Sequence, residues 1–135
     1  MTMRIYFAGP LFTPYERRYI DQCAATLRSE GFEVFVPHEI KLPEKITPKF
    51  IFDTDAYEVL KANAVLALLD GPMVDDGTAN EIGIFWAEMR HDPSKKGIVG
   101  LVTDTRVIRD RNMIDGKGIR SEEHTSELQS LRHLV

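Results

Sequence analysis

The sequence has 135 residues, one cysteine and a formal net charge of −4 at pH 7. This length predicts one domain with a core large enough to need no disulfide, and the lone Cys23 fits a reducing compartment. The negative charge and the lack of a basic stripe argue against a nucleic-acid partner. Because no apolar run approaches the roughly 20 residues of a membrane span, and no signal sequence is evident, we expect a soluble, cytoplasmic protein.

The first half of the chain alternates strands with helices. Apolar runs closed by Gly or Pro predict strands over residues 4–8 and 32–36, and helical spacing predicts a helix over residues 14–30 between them. Thr47 and Pro48 suit the N-cap and first position of a second helix that runs to about residue 62. We expect its inner face to carry four apolar side chains: Phe52, Ala56, Val59 and Leu60.

The central stretch predicts the sheet topology. Residues 64–69 form an apolar run ended by a turn at Asp70, a third helix follows an acidic loop, and residues 97–102 predict a fourth strand. This alternation is typical of an α/β fold: a doubly wound, Rossmann-like parallel sheet of four to five strands with helices on both faces. A flavodoxin-like strand order of 2-1-3-4 would place Gly9 and Asp70 at the switch point, where ligands bind in such sheets.

Glu81 has two interpretations from its position. Thr78 and Glu81 fit a capping box at the start of the third helix, and spacing alone favours that structural role. Alternatively, a carboxylate in the first helical turn is kept ionised by the helix N-terminus and suits a nucleophile that faces the crevice.

Several other acids converge on the same predicted crevice. Asp55 borders the buried face of the second helix, whereas Asp70, Asp75 and Asp76 lie in the loop, where turn chemistry is the simpler explanation. Such a cluster suits sugar hydroxyls or a cationic transition state better than a phosphate, which prefers amides and basic groups. A divalent cation is the alternative, although the loop lacks an EF-hand pattern. The glycine motifs of dinucleotide and nucleoside triphosphate sites are also missing, and Tyr6 is by default a core residue.

Taken together, these motifs resemble the nucleoside 2-deoxyribosyltransferase family. The resemblance is carried by Ile-Tyr-Phe-Ala-Gly-Pro-Leu-Phe at residues 5–12, by Asp55, by Leu-Asp-Gly-Pro at residues 69–72, and by Asp-Asp-Gly-Thr-Ala-Asn-Glu-Ile-Gly at residues 75–83. It extends to Thr-Asp-Thr-Arg at residues 103–106. The Gly-Thr-Ala-x-Glu core is the most specific part.

The resemblance implies transfer of a 2-deoxyribosyl group between nucleobases without a cofactor or a metal. Glu81 would attack the anomeric carbon of a 2′-deoxynucleoside, and a free nucleobase would then open the glycosyl-enzyme. Asp55 would face and protonate the base, Tyr6 would orient the nucleophile, and Asp75 would bind a sugar hydroxyl. We expect the remaining substrate-binding positions to be Gly9, Asp70 and Gly77. Family members also form homo-oligomers, which we expect of the parent protein here.

The C-terminal part departs from the family pattern. Residues 120–131 resemble the translation of a sequencing-library adapter, so we interpret residues 120–135 as a non-native tail and residues 1–119 as a C-terminally truncated domain. The family asparagine that reaches a neighbouring subunit has no match, because Asn112 lies too early.

Two alternatives stay open. One is an N-glycosidase that acts on a deoxynucleoside or its 5′-monophosphate and uses water as the acceptor. The other is a non-catalytic nucleotide-binding module on the same fold.

Overall fold

Four parallel strands, three α-helices and one short 3₁₀ helix (Pro37–Glu39) lie in the part of the chain that the computed structural model describes, residues 2–103. The strands are β1 (Arg4–Ala8), β2 (Glu33–Phe35), β3 (Ala64–Leu68) and β4 (Gly97–Leu101), and the helices are α1 (Pro14–Ser29), α2 (Pro48–Lys61) and α3 (Asp76–Met89). The strand order is β2-β1-β3-β4, with every pair parallel. The predicted α/β class and strand order are therefore confirmed, and the switch point lies between β1 and β3.

Alternate residues of β1 point to opposite faces of the sheet, as the two-residue period of a strand requires. Ile5 and Phe7 pack with Ile20 of α1 in one buried cluster. Tyr6 and Ala8 belong to the other cluster, which lies on the α2 and α3 side of the sheet. The order of residues in β1 thus sends the Tyr6 side chain toward α3.

The helix boundaries follow from their caps. In α1, Thr13 and Glu16 form a capping box, and in α2 the Thr47 side chain accepts a hydrogen bond from the Phe50 amide with Pro48 at the first turn. Both starts match the sequence prediction. Gly31 follows the last turn of α1 with φ of +92°, a conformation that glycine adopts without steric cost.

The inner face of α2 differs from its prediction. Val59 is fully buried, but Phe52 is 54% exposed and Leu60 is 45% exposed. The helical period correctly groups these residues on one side but does not say what covers them. The N-terminal half of α2 lines a cavity beside α3 rather than packing on the sheet, so Phe52 stays accessible.

The start of α3 also differs from its prediction. The N-cap is Asp75, whose Oδ2 accepts hydrogen bonds from the Thr78 amide at 3.0 Å and the Thr78 hydroxyl at 3.2 Å. The expected capping box between Thr78 and Glu81 is therefore wrong, because Asp is a strong N-cap and begins the helix earlier. This frees the Glu81 carboxylate from the backbone.

The predicted tail over residues 120–135 and Asn112 lie outside the described residues. Within residues 2–103, no helix is long and apolar enough to cross a membrane.

Candidate active site

Glu81 and Tyr6 form the centre of the candidate site. The Tyr6 hydroxyl donates a hydrogen bond of 2.6 Å to Glu81 Oε1. Tyr6 is fully buried, and its ring stacks on Phe35 with centroids 5.3 Å apart. The phenol is thus held by packing on one side and by the carboxylate on the other. Oε2 of Glu81 makes no hydrogen bond with the other described residues.

The protonation of this pair is set mainly by burial. Burial, together with the nearby Glu81 carboxylate, raises the pKa of Tyr6 far above its usual value, so the phenol remains a donor. Burial also raises the pKa of Glu81 to about 7. The hydrogen bond from Tyr6 opposes this rise in the Glu81 pKa, whereas the charges of Asp55 and Asp75 add to it. Glu81 can therefore change its charge near neutral pH.

Asp55 is the second acid of the site. Burial raises its pKa to about 6. Its Oδ1 atom is buried and has no hydrogen-bond partner among the described residues. Since a buried unsatisfied oxygen is costly, Asp55 presents an acceptor, or a proton when neutral, that a ligand could satisfy.

A cavity of about 330 Å³ connects these two acids. It runs between the N-terminal halves of α2 and α3, and its volume lies at the lower end of the range typical of small-molecule sites. Its lining residues are Pro48, Ile51, Phe52, Asp55, Ala56, Gly77, Asn80, Glu81 and Ile84.

A second cavity of about 270 Å³ lies at the switch point between β1 and β3. Its charged lining residues are all acidic: Glu16, Asp70, Asp75 and Asp76. Asp75 also caps α3, and a Cβ on Gly77 would lie 3.1 Å from Asp75 Oδ2, so glycine leaves room for that cap.

Gly9 and Asp70 have clear structural partners. A Cβ on Gly9 would lie 3.0 Å from Leu68 Cβ and 3.1 Å from Ile20 Cδ1, and Gly9 lines neither cavity. Asp70 Oδ1 accepts a hydrogen bond of 2.7 Å from the Thr103 amide, and Oδ2 accepts one from the Thr103 hydroxyl. The carboxylate thereby joins the ends of β3 and β4. A substrate contact at either position stays a prediction.

The structure thus brings Tyr6, Glu81, Asp55 and Asp75 to one region of the molecule. Ile51 and Asn80 also line the cavity, although the sequence did not indicate them as site residues. Phe52, which was expected in the core, lines the cavity as well. The spacing of Ile51 and Asp55, one helical turn apart, could have indicated a shared face. Among residues 2–103, no group of three or more His, Cys, Asp or Glu side chains is arranged to hold a metal ion.

Comparison with known proteins identifies the family of this chain. Residues 5–130 match the sequence model of the family described as nucleoside 2-deoxyribosyltransferase. The chain belongs to this family.

Similar solved structures include the following three. A conserved protein from Enterococcus faecalis V583 has 28% identity and a TM-score of 0.69, covering 85% of this chain and 76% of its own. A 2-deoxyribosyltransferase from Bacillus psychrosaccharolyticus has 27% identity and a TM-score of 0.60, covering 73% of this chain and 72% of its own. The CMP N-glycosidase BcmB from Clostridium botulinum shares the fold at 22% identity and a TM-score of 0.54, covering 73% of this chain and 71% of its own.

Proposed function

We propose that this protein transfers a 2-deoxyribosyl group from a 2′-deoxynucleoside to a second nucleobase, with Glu81 as the nucleophile. The observation that carries the proposal is the 2.6 Å hydrogen bond from the Tyr6 hydroxyl to Glu81 Oε1, beside a cavity shared with Asp55. One carboxylate oxygen is oriented, and the other is available to attack. Enzymes that transfer a glycosyl group with retention usually have two carboxyl groups that flank the glycosidic bond.

The first chemical step breaks the bond between the base and the sugar. Glu81 Oε2 forms a bond to the anomeric carbon as the N-glycosidic bonding pair moves to the leaving base. Asp55, in its protonated form, gives its proton to that base. The products are a glycosyl ester on Glu81, a neutral free base and the Asp55 carboxylate.

The second step reverses the first with a different base. A ring nitrogen of the incoming base attacks the anomeric carbon, and its proton passes to Asp55. Glu81 leaves as a carboxylate, stabilised by the hydrogen bond from Tyr6. Two displacements on the same carbon retain the anomeric configuration.

The acidic second cavity favours a substrate without a 5′-phosphate. Its four charged side chains are all carboxylates, so the described part of this cavity offers no cationic side chain to a phosphate. We propose that Asp75 accepts a hydrogen bond from a sugar hydroxyl and that Asp70, Gly9 and Gly77 shape the sugar end of the site. In this proposal the protein needs no cofactor or metal, is located in the cytoplasm and forms a homo-oligomer.

An exchange assay tests the proposal. Deoxyuridine is incubated with the protein, with and without free adenine, and the formation of deoxyadenosine and of uracil is followed by chromatography. Transfer predicts deoxyadenosine that depends on adenine, and no formation by the Glu81→Gln variant. Glu88→Gln, a change at another partly buried glutamate of α3 that lines neither cavity, serves as the matched control.

The same assay separates the alternatives. Release of uracil at the same rate without adenine would mean that water resolves the intermediate, as in an N-glycosidase. A protein that binds deoxyuridine without releasing uracil in either mixture would be a non-catalytic module.

A further inference from the structure

The cavity between α2 and α3 has one polar side chain to which the proposed mechanism gives no role. Its nine lining residues include only three with polar side chains, Asp55, Asn80 and Glu81. The proposed mechanism already gives Glu81 and Asp55 a role. Asn80 lines the cavity and is exposed, and its side chain makes no hydrogen bond with the other described residues.

The walls of this cavity suit a flat ring. Ile51 is 45% exposed and Phe52 is 54% exposed, although both are large apolar residues on a helix that packs in the fold. Both line the cavity beside Asp55. Exposed apolar and aromatic walls with a few convergent polar groups are the usual composition of a site for a heteroaromatic ligand.

The position of Asn80 follows from the chain geometry. It directly precedes Glu81 on α3, so their Cα atoms are about 3.8 Å apart. In the proposed reaction the anomeric carbon must approach Glu81 to about 3 Å, and the base extends from that carbon into the cavity. Since Asn80 lines the same cavity as Glu81, its amide is within reach of an edge of a base bound there.

We infer that Asn80 is a substrate-binding residue that hydrogen-bonds the edge of the nucleobase. This inference rests on the proposed function, because it takes the cavity occupant to be a nucleoside. The amide offers one N–H donor and one C=O acceptor in a plane, which complements the adjacent donor and acceptor groups of a base. Because an amide can present either group, Asn80 accepts both amino and oxo bases.

Replacing Asn80 with Asp separates these two kinds of base. A carboxylate only accepts hydrogen bonds, so Asn80→Asp keeps the contact with an amino group and loses the contact with an oxo group. Deoxycytidine and deoxyuridine differ in this respect at the same ring position, as do deoxyadenosine and deoxyinosine. Loss of one hydrogen bond to an oxo group corresponds to about a tenfold loss of affinity.

Calorimetric titration of these four deoxynucleosides provides the test. All proteins carry Glu81→Gln, so that the ligand is not consumed. In Asn80→Asp, the ratio of amino-base to oxo-base affinity should rise about tenfold in at least one of the two pairs. Ala79→Asp is the matched control, because it adds the same charge at an exposed neighbouring position that lines neither cavity. In Ala79→Asp the ratio of amino-base to oxo-base affinity should stay unchanged.

Each other outcome has a definite meaning. An unchanged ratio in Asn80→Asp, or an equal change in Ala79→Asp, would overturn the role of Asn80 while leaving the proposed transfer intact. If no deoxynucleoside binds to the Glu81→Gln parent, the inference falls and the proposed substrate class falls with it. If circular dichroism shows that Asn80→Asp is unfolded, Asn80→Ala replaces it. The affinity for the deoxynucleosides should then fall about tenfold, and an unchanged affinity would overturn the role of Asn80.

Discussion

Replacing Tyr6 with Phe should reduce activity in a strongly pH-dependent way. The substitution removes only the hydroxyl that donates to Glu81 Oε1, and it keeps the ring stacked on Phe35. A hydrogen bond to a charged group is worth about 1.5 to 3 kcal/mol, so its loss should raise the pKa of Glu81 by about one to two pH units. The nucleophile must be ionised, and a higher Glu81 pKa leaves less of it ionised near neutral pH.

The ratio of wild-type to Tyr6→Phe activity is the decisive quantity. With a Glu81 pKa of about 7 in the wild type, kcat/KM should be about 10 to 100 times lower in the variant near pH 6, and the ratio should approach 1 above about pH 9. The assay is kcat/KM for base exchange across this pH range. Tyr15→Phe, at a tyrosine that is 77% exposed on α1, is the matched control.

A ratio that does not change with pH would refute this reasoning. It would mean that the Tyr6 hydroxyl acts only on the position of Glu81 and not on its ionisation. A variant with wild-type activity at every pH would exclude both effects.

Three further predictions concern stability and binding. Burial raises the pKa of Asp55 to about 6, so its charged form destabilises the fold above that pH. Asp55→Asn should therefore raise the free energy of unfolding in urea by about 1 to 3 kcal/mol at pH 8 and by little at pH 4. An equal gain at both pH values would contradict this explanation. Gly9→Ala should lower the free energy of unfolding by about 1 to 3 kcal/mol, because the added Cβ would press on Leu68. Gly83→Ala, where a Cβ meets nothing within 4 Å, should raise the free energy of unfolding by up to about 1 kcal/mol. Similar effects at both glycines in thermal denaturation would argue against the packing explanation. Asp75→Asn should keep the helix cap, changing stability by less than about 0.5 kcal/mol, yet weaken deoxynucleoside binding about fivefold to tenfold; unchanged affinity in calorimetry would exclude a charged contact with the sugar.

The fold was largely predictable because its signals are local. Apolar runs closed by glycine or proline mark the first three strands, and alternation with helices restricts the sheet to parallel pairs with right-handed crossovers. The order β2-β1-β3-β4 is the flavodoxin-like order that we expected, and the structure has it. The cap at Thr47 was likewise predictable from sequence.

The details of the site depended on tertiary contacts that no local pattern contains. The alternation of β1 could not tell whether Tyr6 or Phe7 faces α3. Helical spacing assigned Phe52 to the inner face of α2, but only the packing of α2 beside α3 leaves it on a cavity. Lys95 lies in a turn whose polar sequence predicts an exposed side chain. In the structure Lys95 is only 8% exposed, and its ammonium group donates hydrogen bonds to the carbonyls of Leu60 and Ala62.

The most direct test of the mechanism is to trap the glycosyl-enzyme. A 2′-fluorinated deoxynucleoside analogue slows breakdown of the ester, because fluorine destabilises the positive charge that develops on the sugar. After brief exposure, peptide mass spectrometry should find the fluorinated sugar on the Glu81 carboxyl group. A protein that exchanges bases on natural deoxynucleosides but carries the label on another residue would contradict the role of Glu81.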